Sequence, residues 1–279
     1  MDVGSALAGR RLGSLIVTAA GQGVAAAVLV AVVVVTGTPL PTDVGILTFA
    51  AVLGVAGAGA YLSYFTGLRI GPIAVVSGMV AAYGGLTVVL AVVIRNETLT
   101  VLQASGATVA TIGVVLTGVA FEGGWRKTRF AGPGVVFAVV ALILFSVMTL
   151  GLAEAIDHAG WLEIITVSRI VNAALTAGAL ALALGTHHRG FRAVMEAPLR
   201  PTRLAWAIAL AGGLLDVVGL ASLSIGLERA PTWLVGLASS FGPAVTILVA
   251  VVFLGERLRP IQWFGLVGIA LGLVAIALP

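Results

Sequence analysis

Residues 226–275 read GLERAPTWLVGLASSFGPAVTILVAVVFLGERLRPIQWFGLVGIALGLVA, and they repeat residues 67–116 without a gap, at a shift of 159 positions. Gly67, Leu68 and Pro72 fall on Gly226, Leu227 and Pro231, and Thr87 falls on Thr246. Glu97, Leu99, Gln103, Gly106 and Gly113 fall on Glu256, Leu258, Gln262, Gly265 and Gly272. Alanine and valine coincidences carry little weight in so apolar a chain, but a shared Pro, Glu, Gln and Gly pair at one offset does. An internal repeat in a hydrophobic chain is the sequence mark of a transporter assembled from two related halves.

The 279 residues are 60% hydrophobic and 9% charged, with a mean hydropathy of +1.17. That is too little polar surface to coat a water-soluble globule. The apolar residues fall in runs of roughly 20, the length that crosses a bilayer at 1.5 Å rise per residue. The spacing predicts nine spans: Leu12–Val35, Val44–Thr66, Pro72–Ile94, Leu99–Phe121, Pro133–Ala153, Trp161–Leu184, Leu204–Ile225, Pro231–Leu254 and Pro260–Leu278. Pro, Gly and charge mark the breaks, as at Arg95-Asn96-Glu97 and His187-His188-Arg189-Gly190. Arg10 and Arg11 before the first span resemble the charged start of a secretory signal, but the run is longer than the 7–15 residues of such a segment, so a retained helix is expected.

With no cysteine, disulfides, thiol catalysis and thiolate metal sites are excluded. The net charge of +4 sits in short loops, where membrane topology explains it and nucleic-acid binding does not. Counting Lys and Arg by side of the membrane gives twelve, from Arg10 to Arg259, against Arg95 and Arg229 alone. The amino terminus is therefore expected in the cytoplasm and Pro279 outside, and the two copies are expected to run antiparallel through the membrane.

Carried further back, the same shift places Arg10 on Arg169 and Pro39-Leu40 on Pro198-Leu199. The expected domains are a first repeat, 1–121, with four helices, a cytoplasmic linker, 122–130, and a second repeat, 131–279, with five. The Pro133–Ala153 helix has no counterpart ahead of it, so the expectation is an ancestral five-plus-five unit lacking its first helix, through a late start codon or a nine-span protein.

At these residues the chain resembles the drug/metabolite transporter (DMT) superfamily, in particular its EamA-type members. The resemblance rests on Gly226-Leu227, Ser239-Ser240-Phe241-Gly242-Pro243, Gly255-Glu256-Arg257-Leu258, Gln262, Gly265 and Gly272. The first copy departs from the pattern, with Tyr83-Gly84 at the place of Gly242-Pro243 and Arg95-Asn96-Glu97-Thr98-Leu99 in place of the Gly-Glu-Arg-Leu turn. Arg169 also resembles a family position. The resemblance implies an inverted-repeat helical bundle and transport of small solutes.

Ionisable groups inside spans are costly and are functional candidates by default. Asp216 lies midway through its span and shares a helix face with Gly212 and Gly219, which suits a close helix contact or a cavity wall. It reads as a proton- or cation-linked carboxylate, or as a buried structural one. Arg169 heads a polar stripe with Asn172 and Thr176; it reads as a clamp for an anionic solute group, as Asp216's partner, or as a side chain snorkelling to the outer interface. Pro243 removes a mid-helix hydrogen bond, and with Ser239, Ser240 and Thr246 nearby it is the candidate for gating. Tyr83 and Thr87 occupy the comparable face of the first copy, and Tyr61 adds a phenol one helix earlier, whereas Tyr64 reads as an interface anchor. Glu154, Asp157 and Glu163 read as loop charges, with Glu154 facing a vestibule. Glu97 and Glu256 are expected to cap helices.

There is no phosphate-binding glycine loop, no zinc-protease motif and no triad, and the three histidines fall in loops without the spacing of a metal site. The expectation is therefore an all-α integral membrane protein of a bacterial inner membrane and not an enzyme, with no cofactor, metal or nucleic-acid partner. It would move a small organic metabolite or drug-like solute outward by alternating access, with protons as coupling ion and the lipid bilayer as surroundings. The oligomeric state is left open between monomer and homodimer. The rival is a non-transporting membrane protein, either a partner subunit or an inactive remnant.

Overall fold

The computed structural model describes residues 8, 11–71, 73–118, 133–185, 202–242 and 260–277. Among these there is no strand, and ten helices follow one another: α1 (Ser14–Thr36), α2 (Val44–Ile70), α3 (Ile73–Ala81), α4 (Tyr83–Ile94), α5 (Val101–Gly118), α6 (Pro133–Ile156), α7 (Trp161–Gly185), α8 (Arg203–Arg229), α9 (Thr232–Ser239) and α10 (Pro260–Ala277). Among the described residues six stretches are long and apolar enough to cross a membrane: α1, α2, Val76–Ile94, α6, α7 and α8; Val101–Leu116 and Trp263–Ile276 are shorter apolar helices.

The ends of these helices follow from local chemistry. Gly37 closes α1 in the left-handed conformation, at φ 67, and the Thr38 N–H returns to the Val33 carbonyl at 3.2 Å. Asn96 plays the same part after α4 at φ 54, with the Glu97 N–H on the Ala91 carbonyl at 3.2 Å. Gly and Asn are the residues that tolerate this conformation at a helix end. The repeat puts Gly255 at the position of Asn96, so both copies carry there a residue type that tolerates this conformation. Thr100 and Gln103 then form a reciprocal cap at the start of α5: Thr100 N–H donates to Gln103 Oε1 at 3.0 Å, and Gln103 N–H donates to Thr100 Oγ1 at 3.2 Å.

The expected span Pro72–Ile94 is present over Val76–Ile94, but it is built of two helices, parted at Ala82, whose N–H turns back tightly to the Met79 carbonyl at 3.1 Å. The matching break in the second copy follows Ser239, where the Ser240 N–H reaches the Leu237 carbonyl at 3.2 Å. Proline is therefore not what the first break requires. Pro243, Thr246, the Gly255-Glu256-Arg257-Leu258 turn, Arg10, the 122–130 linker, His187 and His188 lie outside the described residues.

The lining of the protein is turned inside out relative to a soluble one. Val101 is 89% exposed and Val35 85%, whereas Ser14, Thr18 and Thr87 are fully enclosed. Acyl chains solvate valine and leucine, so apolar residues stand both outside, as these do, and inside, as Leu15 and Ile165 do, whereas polar groups are enclosed where they find partners.

The described helices form two compact units, one of residues 1–70 and 151–229 and one of residues 71–150 and 230–279. Each draws helices from both sequence copies. In the first unit α1 packs on α7 and α8, and α2 packs on α7. In the second, α5 packs on α10 and α4 on α9. The α5–α10 contact is glycine against glycine. A Cβ on Gly106 would lie 2.8 Å from the Gly272 carbonyl oxygen, and one on Gly113 would lie 2.6 Å from that of Gly265. Residue numbers rise along one helix as they fall along the other, so the two run antiparallel. The 159-residue shift also exchanges these two contacts.

The helix bounds carry the same register, since Val44–Ile70 maps onto Arg203–Arg229 and Val101–Gly118 onto Pro260–Ala277. It fails for the first pair: α1 starts at Ser14 and α7 at Trp161, and matching these starts sets Gln22, not Arg10, opposite Arg169.

Gly113→Leu is expected to force α5 from α10 and lower the thermal melting point of the detergent-solubilised protein, at a cost on the order of 1–3 kcal/mol for overpacking. Val101→Leu, on the lipid-exposed side of the same helix, is expected to leave it within about 0.5 kcal/mol.

Candidate functional site

In α7 the buried residues include Leu162, Ile165, Thr166, Arg169, Asn172 and Thr176, spaced at three and four along one face. The opposite face carries Ile170, Leu175 and Leu182, all exposed. The polar stripe expected from Arg169, Asn172 and Thr176 therefore faces protein. Arg169 is 3% exposed, which overturns the reading of a side chain reaching for the outer interface.

Two close glycine contacts bring its partners in. A Cβ on Gly54 of α2 would sit 2.5 Å from the Ser168 carbonyl oxygen, and one on Gly213 of α8 would sit 2.5 Å from that of Gly21 in α1. The first contact lies one residue before Arg169, and the second lies one residue before Gln22 and three before Asp216. With so little between the backbones, medium-length side chains from four helices meet. Arg169 Nη1 donates to Gln22 Oε1, and Nη2 donates to the Tyr61 hydroxyl at 3.0 Å. The Tyr61 hydroxyl in turn donates to Asp216 Oδ1 at 2.5 Å. Asp216 Oδ2 stands 2.9 Å from Arg169 Nη2 as an ion pair, although it lacks the alignment of a hydrogen bond. The guanidinium carbon also lies 4.9 Å from the centre of the Tyr61 ring, a cation–π distance.

Gln22 and Asn172 are each 2% exposed and Asp216 is 8%. Among the described residues, Arg169 Nε and Asn172 Oδ1 have no hydrogen-bond partner. Thr176 is satisfied within its own helix by the Asn172 carbonyl at 2.9 Å. Beside Asp216 is a crevice of about 10 Å³, lined by Gln22, Gly21, Gly212, Gly213 and apolar neighbours, which is room for about one water. Gly212 thus shares Asp216's surroundings as expected. Gly219 does not, since it faces open space, and Gly213 makes the close helix contact instead.

The sequence reading missed Gln22. Its signal was its place as the one amide in an otherwise apolar span, a turn after Thr18. Tyr61 had been set beside Tyr83, but its bonds tie it to Arg169 and Asp216.

The second unit holds Tyr83, Ser239 and Ser240. The Tyr83 hydroxyl donates to Ser239 Oγ at 2.7 Å, and Ser239 and Ser240 donate to the carbonyls of Gly236 and Leu237 at 2.9 and 2.7 Å. The Tyr83 carbonyl, just past the helix break, receives the hydroxyls of Ser146 and Thr87 at 3.0 and 2.9 Å. These hydroxyls serve the backbone around the break.

Glu97 does cap a helix, but not the one that follows it. Its Oε1 and Oε2 accept the N–H groups of Thr232 and Trp233 at 3.1 and 3.0 Å, the orphan donors at the start of α9. Burial pulls the Glu97 carboxyl up, but the Thr232 hydroxyl, these two N–H donors and the Arg95 charge together outweigh it and hold the group below its ordinary value of 4.5. Glu154 joins Asp43 and His158 around a crevice of about 340 Å³ floored by Ile46 and Phe49. No group of three metal-ligating side chains occurs among the described residues.

A model of the EamA-like transporter family matches residues 2–119 and again residues 132–278. A solved crystal structure superposes with a TM-score of 0.75 at 21% identity, covering 95% of this chain and 89% of its own, a likeness of fold alone. No curated protein matches the chain.

Replacing Arg169 by Ala is expected to destabilise the protein by about 3–5 kcal/mol, because Asp216 is left buried and unpaired. The Arg169→Ala, Asp216→Ala double variant is expected to recover much of that loss, read as a coupling energy in thermal or denaturant melts. Because its folded carboxyl titrates low, Glu97 contributes stability that is complete above its ordinary value of 4.5 and is lost as pH falls through the folded value. Glu97→Gln is expected to flatten the acid side of the melting-point profile below that pH.

Proposed function

The chain belongs to the EamA-like transporter family, and from that premise we propose that it is a secondary active transporter exporting a small organic solute by alternating access, coupled to protons. The observation that carries the reading is the Gln22–Tyr61–Arg169–Asp216 cluster. Charges enclosed at mid-helix are costly, and they mark substrate and ion paths in membrane bundles. Asp216 is the coupling carboxylate in this reading. Arg169 and Tyr61 answer its change of charge, with Asn172 and Thr176 extending the polar face along α7. Tyr83, Ser239 and Ser240 line the solute path at the helix breaks, and Pro243 supports gating there.

The exchanged Gly106–Gly272 and Gly113–Gly265 contacts support an inverted-repeat bundle with repeats over 1–121 and 131–279. The Gly54–Ser168 and Gly213–Gly21 contacts support extending it through the first helices, with Gln22 related to Arg169. The bias of twelve basic residues against two supports a cytoplasmic amino terminus.

The narrow crevice of about 10 Å³ favours a second reading, in which the cluster is a fixed structural core in a non-transporting membrane protein. Reconstitution separates the two. In proteoliposomes the wild type is expected to dissipate a pH gradient when solute is supplied, and Asp216→Asn is expected to insert normally while losing that coupled flux. Flux that persists in Asp216→Asn removes the coupling role, and no flux from the wild type with any solute leaves the structural reading in place.

A further inference from the structure

Tyr61 and Arg169 do not simply neutralise Asp216; they hold its carboxylate the way a receptor holds a ligand. One oxygen takes the phenol at 2.5 Å and the other lies 2.9 Å from the guanidinium. Gln22 supports the guanidinium from behind. A guanidinium fork beside a hydroxyl donor is selective for a planar pair of oxygens sharing one negative charge. The fit is incomplete, because Oδ2 is not aligned as a hydrogen-bond acceptor and Arg169 Nε is unpartnered. The cradle is thus occupied by a side chain that leaves donor capacity unused.

We infer that this cradle is a carboxylate site for which Asp216 is the internal occupant, and that the solute is a small organic carboxylate taken up together with one proton. The inference rests on the transporter reading and deepens it. Charge balance supplies the proton. One buried guanidinium cannot neutralise two carboxylates, so the solute anion enters only as Asp216 takes up a proton and leaves the fork as a neutral acid. Arg169 then pairs with the solute's carboxylate, and no net charge is added to the site. Among the described residues, the charged and titratable groups facing Asp216 are Arg169 from α7 and Tyr61 from α2; α1 contributes the neutral Gln22. Proton and anion travel in the same direction, so transport is electroneutral, and export is driven by the solute's own outward gradient with the proton carried along.

Equilibrium binding to the purified full-length protein tests this, with radiolabelled acetate, lactate and benzoate as probes and benzamide as neutral control. Wild-type affinity for the best carboxylate is expected to rise as pH falls, with a limiting slope of about tenfold per pH unit, because one proton is taken up per anion. Asp216→Asn is expected to bind the same carboxylate with no pH slope, and the anion but not benzamide is expected to raise its melting point. Tyr61→Phe, which keeps the ring, is expected to weaken binding about tenfold. Folded Asp216→Asn that binds none of the three carboxylates overturns the inference, as does a pH slope that survives in it. Transport of an amine or a neutral solute without carboxylate binding also overturns it, while the transporter reading itself stands.

Discussion

A guanidinium enclosed among membrane-spanning helices must be neutralised and hydrogen-bonded, or the bundle that encloses it is not stable. Arg169 imposes that demand on its whole unit. Gln22 from α1, Tyr61 from α2 and Asp216 from α8 answer it, so each of the four long helices there contributes one polar group. The hydrophobic effect does not supply this order, because the helices' apolar faces are as well solvated by lipid as by one another. What sets one arrangement above others is the polar cluster together with the close contacts that let it form.

Those close contacts depend on the absence of side chains. Gly54 lies against the Ser168 carbonyl and Gly213 against Gly21, and each contact stands beside a member of the cluster. A methyl group at either place would push a helix outward by a substantial part of a hydrogen-bond length. Glycine is thus part of the site's geometry without touching its chemistry. In the other unit the same device packs α5 on α10, and the polar groups there mostly serve the backbone. Ser146 and Thr87 attend the Tyr83 carbonyl, and Glu97 attends the start of α9.

Much of the fold was legible in residue order because lipid imposes simple rules on sequence. Runs of apolar residues end where Gly37 or Asn96 can turn left-handed, and the helix bounds recur at the repeat shift. The break at Ala82 was not legible. No Gly or Pro stands at that residue, and a tight turn satisfied by its own backbone leaves no compositional mark. The register of the first helices misled for a related reason. The link between α7 and α8 is longer than that between α1 and α2, so an ungapped shift extended past it set Arg10 against Arg169.

The site was partly legible. Asp216, Arg169, Asn172 and Thr176 stand out because charge and amide groups are rare in such spans, and their spacing puts the last three on one face. By itself the sequence determined the membrane setting and which ionisable groups lie at mid-helix, since these follow from composition and periodicity along each helix, while the repeat follows from matches at one fixed shift and the family from the resemblance of short motifs. Only the tertiary structure decided that Arg169 turns inward, that Gln22 and Tyr61 join it, and that Gly213 rather than Gly219 makes the close contact. Those outcomes depend on which helix faces meet and at what depth. That is settled by backbone approach of a few ångströms between residues more than a hundred positions apart, which no local pattern records.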